Sequence, residues 1–271
     1  MSPGTFDPTK SSTAKNTGTG FQIAYGDGTT AQGPVYLDTL AIAGLTADQQ
    51  AIGVNNGSSS ALPGSGISGM AFKSISTFNR DPFFYTLVQQ KKVPQDVFTF
   101  GLQRQGARLD LGGIDQSTYK GDINYVSADS SNGFWQISDT SINDFPVSTA
   151  IVDTGTSVLL LTPEVFIPLC LSIGGIIIPN GLTQLACGVK GDVPTNVNVK
   201  VGGGSYTLSP ESLALQQSGG LTLLGILSDY EIGLSTGSIY GDTFLQNVLA
   251  VFSGQTGSNP RVGFAATSGT P

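Results

Sequence analysis

Histidine is absent from the 271 residues. Its absence excludes Ser-His and Cys-His nucleophile pairs and removes the commonest metal ligand. Two cysteines are too few for a four-cysteine zinc site. Charge is scarce as well: only 11% of residues are charged, against roughly 25% in an average globular protein. The 12 bases are outnumbered by 19 acids, for a net charge of -7. No basic run exists, so the electrostatic footprint of nucleic-acid binding is missing, and an anionic membrane surface would repel the chain. Apolar runs are short, the longest lying around Val158 and Ile176, and far below the length that spans a bilayer. The first residues do not have the charged-then-apolar pattern of a secretory signal. Any proton chemistry must therefore come from carboxylates, tyrosine or lysine. Few bases also mean little mutual repulsion once acids are neutralised, which suits acidic surroundings.

What the chain does have is glycine, 37 copies, and many short β-branched or aromatic runs bounded by Gly, Asn, Asp or Ser. Strands are predicted at 21–25, 34–42, 97–102, 121–126, 134–138, 197–201 and 248–252. Helix signals are few. Asp81-Pro82 is an N-cap and N1 pair for a helix ending near Lys92. Thr162-Pro163 opens a second, which Pro168 should stop or kink. Asp242 is placed to cap a third. Residues 55–65 read as a surface loop. A faint internal echo links Gly66-Ile67-Ser68-Gly69 with Ser238-Ile239-Tyr240-Gly241, both predicted as short strands ending in glycine.

Two motifs carry chemistry. In Ala150-Ile151-Val152-Asp153-Thr154-Gly155-Thr156-Ser157 an apolar strand delivers an aspartate into a turn, where Gly155 and Thr156 can donate hydrogen bonds to the carboxylate. Alone, Asp-Thr-Gly is equally a structural turn. In Phe21-Gln22-Ile23-Ala24-Tyr25-Gly26-Asp27-Gly28 a hairpin carries an aromatic near its tip; alone, it is an ordinary hairpin.

In order along the chain, Phe6-Asp7-Pro8-Thr9-Lys10-Ser11-Ser12-Thr13, the Tyr25-Gly26-Asp27-Gly28 hairpin, Gly66-Ile67-Ser68-Gly69-Met70-Ala71-Phe72, Leu111-Gly112-Gly113-Ile114-Asp115, Phe134-Trp135-Gln136-Ile137, Asp153-Thr154-Gly155-Thr156-Ser157, Ile239-Tyr240-Gly241-Asp242-Thr243-Phe244-Leu245 and Arg261-Val262-Gly263-Phe264-Ala265 resemble pepsin-like aspartic endopeptidases of the secreted fungal type. The resemblance implies a mostly β, bilobal fold, with an N-terminal lobe over 1–130 and a C-terminal lobe over 131–271. Asp153 would match the second catalytic aspartate. Tyr25, Gly26 and Asp27 would match the substrate flap, and Gly155 and Thr156 would line the site. Thr154 would brace the two catalytic loops.

The family's first Asp-Thr-Gly-Ser motif precedes the stretch matched by Phe6 to Thr13, and Asp153 begins the single Asp-Thr-Gly of this chain. The expectation is an N-terminally truncated chain with an incomplete N-terminal lobe, inactive as it stands. The rival reading is a non-catalytic pepsin-like protein that binds peptides or partners. The implied partner is a polypeptide substrate or a pepstatin-like inhibitor, with no cofactor, metal, nucleic acid or membrane. The chain is expected to be a monomer, and extracellular or vacuolar. Cys170 and Cys187 enclose 16 residues; a bridge of that size stabilises by about 3 kcal/mol in the chain-entropy view. The resemblance places Cys187 near a commonly bridged cysteine but suggests no partner role for Cys170, so the pairing stays open.

Overall fold

The computed structural model describes residues 5–26, 28–58, 66–181, 184–229 and 237–268. The chain divides into two compact units, one of Met1–Asp96 with Ser131–Phe134 and one of Val97–Ser130 with Trp135–Pro271.

The first unit is built on one antiparallel sheet. Strands β1 (Lys15–Ala24), β2 (Thr30–Ile42) and β3 (Leu45–Gly53) follow one another as hairpins, and β4 (Gly57–Ser58) adds to the β3 side of β2. Thr13 ties the entry of β1 to β2 by donating its hydroxyl to the buried Asp38 carboxylate at 2.6 Å. Helix α1 (Phe83–Gln89) packs on β3 and buries Phe83, Phe84 and Leu87. It is shorter than the sequence suggested: Pro82, not Asp81, is the N-cap, and the chain turns at Gln90 rather than near Lys92. Lys91, in the left-handed region at φ 56°, closes that turn. Apart from this helix, the buried apolar residues of the unit, among the described residues, are Ala31, Val35, Ala47, Ala51 and Phe72. Most of them are small, and the core is correspondingly thin.

The second unit runs through β5 (Val97–Gly101), β6 (Arg108–Leu111), β7 (Tyr119–Asp129), β8 (Gln136–Ile137), β9 (Thr140–Ile142), β10 (Phe145–Val147), β11 (Ala150–Val152) and β12 (Leu159–Leu161) to helix α2 (Pro163–Ser172). Then come β13 (Ile176–Asn180), β14 (Gln184–Val189), β15 (Asn198–Val201), β16 (Gly204–Thr207), α3 (Pro210–Leu213), β17 (Ala214–Ser218), β18 (Leu221–Asp229), β19 (Ser238–Tyr240), α4 (Asp242–Leu245), β20 (Val248–Ser253) and β21 (Arg261–Thr267). One long sheet has the order β13-β14-β18-β12-β19-β11-β8-β7-β21-β20-β5-β6, with β17 beside β18; a smaller sheet has the order β10-β9-β15-β16. β20 lies between β21 and β5 with five successive residues buried, as a continuous apolar run requires when both faces are covered. Phe98 stacks on Phe252 at 4.9 Å, with Trp135 edge-on to both. A second cluster joins Tyr206, Tyr240, Phe244 and Phe264.

Each of the seven strands predicted from β-branched and aromatic runs overlaps an observed one. Residues 97–130, expected with the N-terminal lobe, lie in the second unit, because β5 pairs with β20 and β7 with β21. Helix α2 continues through Pro168. Val165, Phe166, Leu169 and Cys170 bury one stripe across the proline, and burial worth ~1.5–3 kcal/mol per large side chain outweighs the ~3 kcal/mol cost of the proline. Asp242 is the first residue of α4, not its cap, which is Gly241. Part of the expected 55–65 loop forms β4, and 59–65 lie outside the described residues. Gly66-Ile67-Ser68-Gly69 is not a strand, and Ile67 is 51% exposed. Its counterpart β19 is held between two strands; the first unit places none beside 66–69 among the described residues. Cys170 and Cys187 form a disulfide joining α2 to β14.

Candidate active site

Asp153 stands where buried backbone ends. All three residues of β11 are buried, and β11 pairs parallel with β19 and antiparallel with β8. β12, the next strand in sequence, lies on the other side of β19, antiparallel to it. The 153–158 segment must therefore cross the end of a strand that arrives some eighty residues later. That crossing positions the aspartate.

The Asp153 N–H donates to the Tyr240 carbonyl at 3.1 Å, extending the β11–β19 ladder by one residue. Beyond it the chain turns sharply. The Gly155 N–H donates to Asp153 Oδ1 at 2.9 Å, and the Thr156 hydroxyl donates to Oδ2 at 2.7 Å. Both carboxylate oxygens are thus held by the residues the sequence singled out. The carboxyl is half-buried and Gly155 is exposed, so the group is rigid and still open to solvent. Thr154 is half-buried, and among the described residues no hydrogen bond forms to its hydroxyl.

The residues just after β19 cover the turn from the other side. The Asp242 N–H donates to the Thr156 carbonyl at 2.7 Å, and the Thr243 hydroxyl to the Ser157 carbonyl at 3.3 Å. Gly241 is needed for this approach: a Cβ there would lie 2.1 Å from the Thr156 carbonyl oxygen and 2.5 Å from that of Val158. Tyr240, fully buried, shares a hydrogen bond of 2.9 Å with the Thr140 hydroxyl, which itself donates to the Lys200 carbonyl at 2.8 Å. Burial pushes the Tyr240 phenol well above its ordinary range. Asp242 is the residue the sequence reading missed. Burial, and then the nearby Asp153 charge, push its carboxyl up from 3.8 to about 6. Asp242 thus senses the charge of Asp153 at this site. A pattern reading assigns Asp242 to a helix start; only the strand crossing brings it to Asp153.

The other predicted residues lie in the first unit. Tyr25 follows β1, its N–H donating to the Thr29 carbonyl at 2.8 Å, and its carbonyl accepts from the Gly28 N–H at 3.0 Å. Gly28 has φ +81°, which the tight hairpin needs. Tyr25 is half-buried and its phenol is raised by that burial; Gly26 is exposed. Asp27 lies outside the described residues. Among the described residues, no group of three His, Cys, Asp or Glu is arranged to hold a metal, and no helix is long and apolar enough to cross a membrane.

Comparison with known proteins gives this geometry a family. A model of eukaryotic aspartyl proteases matches residues 1–267. Secreted aspartyl protease 1 of Malassezia globosa is 32% identical over 272 residues, covering 99% of this chain and 67% of that protein. Cathepsin D of Clupea harengus is 33% identical, covering 97% of this chain and 70% of its own length. The chain thus spans about two thirds of the length of the curated relatives it matches. The crystal structure of an aspartic proteinase from Irpex lacteus superposes with a TM-score of 0.79 at 21% identity, over 98% of this chain and 86% of that one, which makes the fold that of the pepsin-like proteinases. By the family model and by its relatives, this chain belongs to the eukaryotic aspartyl proteases.

Proposed function

We propose that this chain carries the second catalytic half of an acid endopeptidase, with Asp153 as one member of a carboxylate pair. The reading rests above all on the Asp153 carboxylate being held through both oxygens at the open end of a buried strand. Two carboxylates that share a proton and a water can cleave a peptide. The ionised one takes a proton from the water as it attacks the carbonyl carbon. The protonated one polarises the carbonyl oxygen and later protonates the leaving amine. Tyr25, Gly26 and Asp27 would close over the substrate as a flap, Gly155 and Thr156 would line its backbone, and Thr154 would brace the catalytic turn. A polypeptide is the substrate class, and a pepstatin-like peptide the inhibitor class. Lobes over 1–130 and 131–271, a monomeric state and an extracellular or vacuolar location complete the reading. A boundary at 130 and one at 96 alike leave the hairpin tip and Asp153 in different halves.

The 271 residues contain one Asp-Thr-Gly. By themselves they supply one acid of the pair and should not digest haemoglobin at acidic pH at the rate of an intact family member. A longer chain that adds an Asp-Thr-Gly-Ser segment before Phe6 should be active, and Asp153→Ala should silence it. Pepstatin-sensitive turnover by the 271 residues alone, lost in Asp153→Asn, would overturn the inactivity and point to Asp242 as the partner acid. A longer chain that works equally well without Asp153 would overturn the assignment of Asp153. If neither form cleaves protein but both bind pepstatin, the non-catalytic, peptide-binding reading stands instead.

A further inference from the structure

Asn56-Gly57-Ser58 is the one Asn-X-Ser or Asn-X-Thr triplet of the chain in which X is not proline. Such a triplet is an acceptor for asparagine-linked glycan when the chain passes through the secretory pathway and the folded protein leaves the asparagine at its surface. Asn56 meets the surface condition. It sits between β3 and β4 and is exposed. Its backbone is secured beneath: the Val54 N–H donates to the Pro34 carbonyl at 2.9 Å and the Asn56 N–H to the Gln32 carbonyl at 3.0 Å. The segment lies so close to β2 that a Cβ on Gly33 would come within 2.0 Å of the Val54 carbonyl oxygen and 3.1 Å of Asn56 Oδ1. The pathway condition has independent support in the Cys170–Cys187 bridge, since disulfides persist in oxidising compartments and are rare in reducing ones.

We infer that Asn56 is an N-glycosylation site, and that its glycan covers an open edge of the first unit. β4 pairs with β2 through Gly57↔Gln32 and Ser58↔Ala31 and, among the described residues, has no strand on its other side. An unpaired edge is a template for pairing with another chain, and bulk at the edge prevents it. In the transfer step the Asn56 amide nitrogen bonds to the anomeric carbon of a lipid-linked oligosaccharide. The bond from that carbon to the pyrophosphate oxygen breaks, the lipid pyrophosphate departs with the electron pair, and the amide proton passes to the medium. Nothing is oxidised or reduced.

This inference rests on the secretory reading and not on proteolytic activity. The test expresses the chain behind the secretion leader of a yeast host and trims it with endoglycosidase H, which leaves one N-acetylglucosamine on a modified asparagine. That stub is the right readout, because Asn-Gly also loses ammonia unaided and the resulting aspartate would mimic enzymatic release. Peptide mapping should find the stub on Asn56, lose it in Asn56→Gln and Ser58→Ala, and keep it in Ser58→Thr. Secreted protein with Cys170 and Cys187 bridged but Asn56 bare, in both the wild type and Ser58→Thr, would overturn the glycan while leaving the secretory reading intact. Reduced cysteines in protein from its own source would overturn both.

Discussion

Asp242 titrates where few carboxyls do, and its environment decides how the protein responds to acid. Its carboxyl is raised to about 6, so the folded state holds the proton more tightly than the unfolded chain. The stability this confers is complete below the ordinary aspartate value of 3.8 and is lost as the pH rises through about 6. A rise of this size is worth ~3 kcal/mol at full strength; solvent screening of the half-buried carboxyl brings it to about 1–2 kcal/mol. Asp242→Asn, neutral at every pH, should match the wild type in acid and exceed it by about that amount above pH 6. Urea midpoints measured across the pH range check this, and parallel curves would remove Asp242 from any role in acid stability. Tyr240→Phe tests the buried phenol of the residue whose backbone carbonyl accepts from the Asp153 N–H. It removes the hydrogen bond to Thr140 and should cost about 1 kcal/mol, read from the same midpoints at a single pH.

Among the elements, the crossing of 153–158 over the end of β19 is the most demanding. Gly241→Ala would press a methyl group into the Thr156 and Val158 carbonyls. The backbone must move, and the expected loss is ~2–4 kcal/mol. The disturbed turn also carries both donors to Asp153, so a longer, active chain should lose turnover along with stability. Gly69→Ala, where a Cβ would meet only open space, is the matched control and should be close to neutral. The tie between α2 and β14 is tested by Cys170→Ser with Cys187→Ser. Freeing a loop of that length should lower stability by about 3 kcal/mol, measured by denaturant unfolding. An unchanged midpoint would mean that burial of the α2 stripe alone holds the helix.

For the whole molecule, the two units differ in how much apolar surface they bury. Among the described residues the first buries three alanines, one valine, one leucine and three phenylalanines, whereas the second has two aromatic clusters and continuous buried strands. Because local opening follows buried contact, amides of β1 and β2 should exchange with solvent well before those of β11, β19 and β20. Hydrogen exchange read by mass spectrometry would show this as two kinetic classes that divide along the chain. Equal protection would mean that the first unit is stable on grounds other than its core, and would favour the non-catalytic reading over that of an enzyme with a segment still to be supplied.

The sequence by itself determined the fold class, the positions of several strands and the turn around Asp153, and its ordered motifs carried the resemblance to the family. The first three are written in short-range pattern: β-branched and aromatic runs, glycine at turns, and a small donor one and two residues after the Asp-Thr pair. Local signals failed where distant chain competes. Pro168 was read as a helix stop or kink because proline acts on its own turn, while the stripe that overrides it is buried in tertiary packing against β10, β13 and β18. Gly66-Ile67-Ser68-Gly69 looked like Ser238-Ile239-Tyr240-Gly241, yet β19 is held by β11 and β12 on its two sides, and 66–69 have no such neighbours among the described residues. Asp242 does open a helix, one position inside its cap, but no local signal placed it near Asp153. Its proximity to Asp153 arises from one strand inserting between two others, and no periodicity records that insertion. Tertiary structure alone decided that Asp242 senses the Asp153 charge, because charge acts across space and not along the chain.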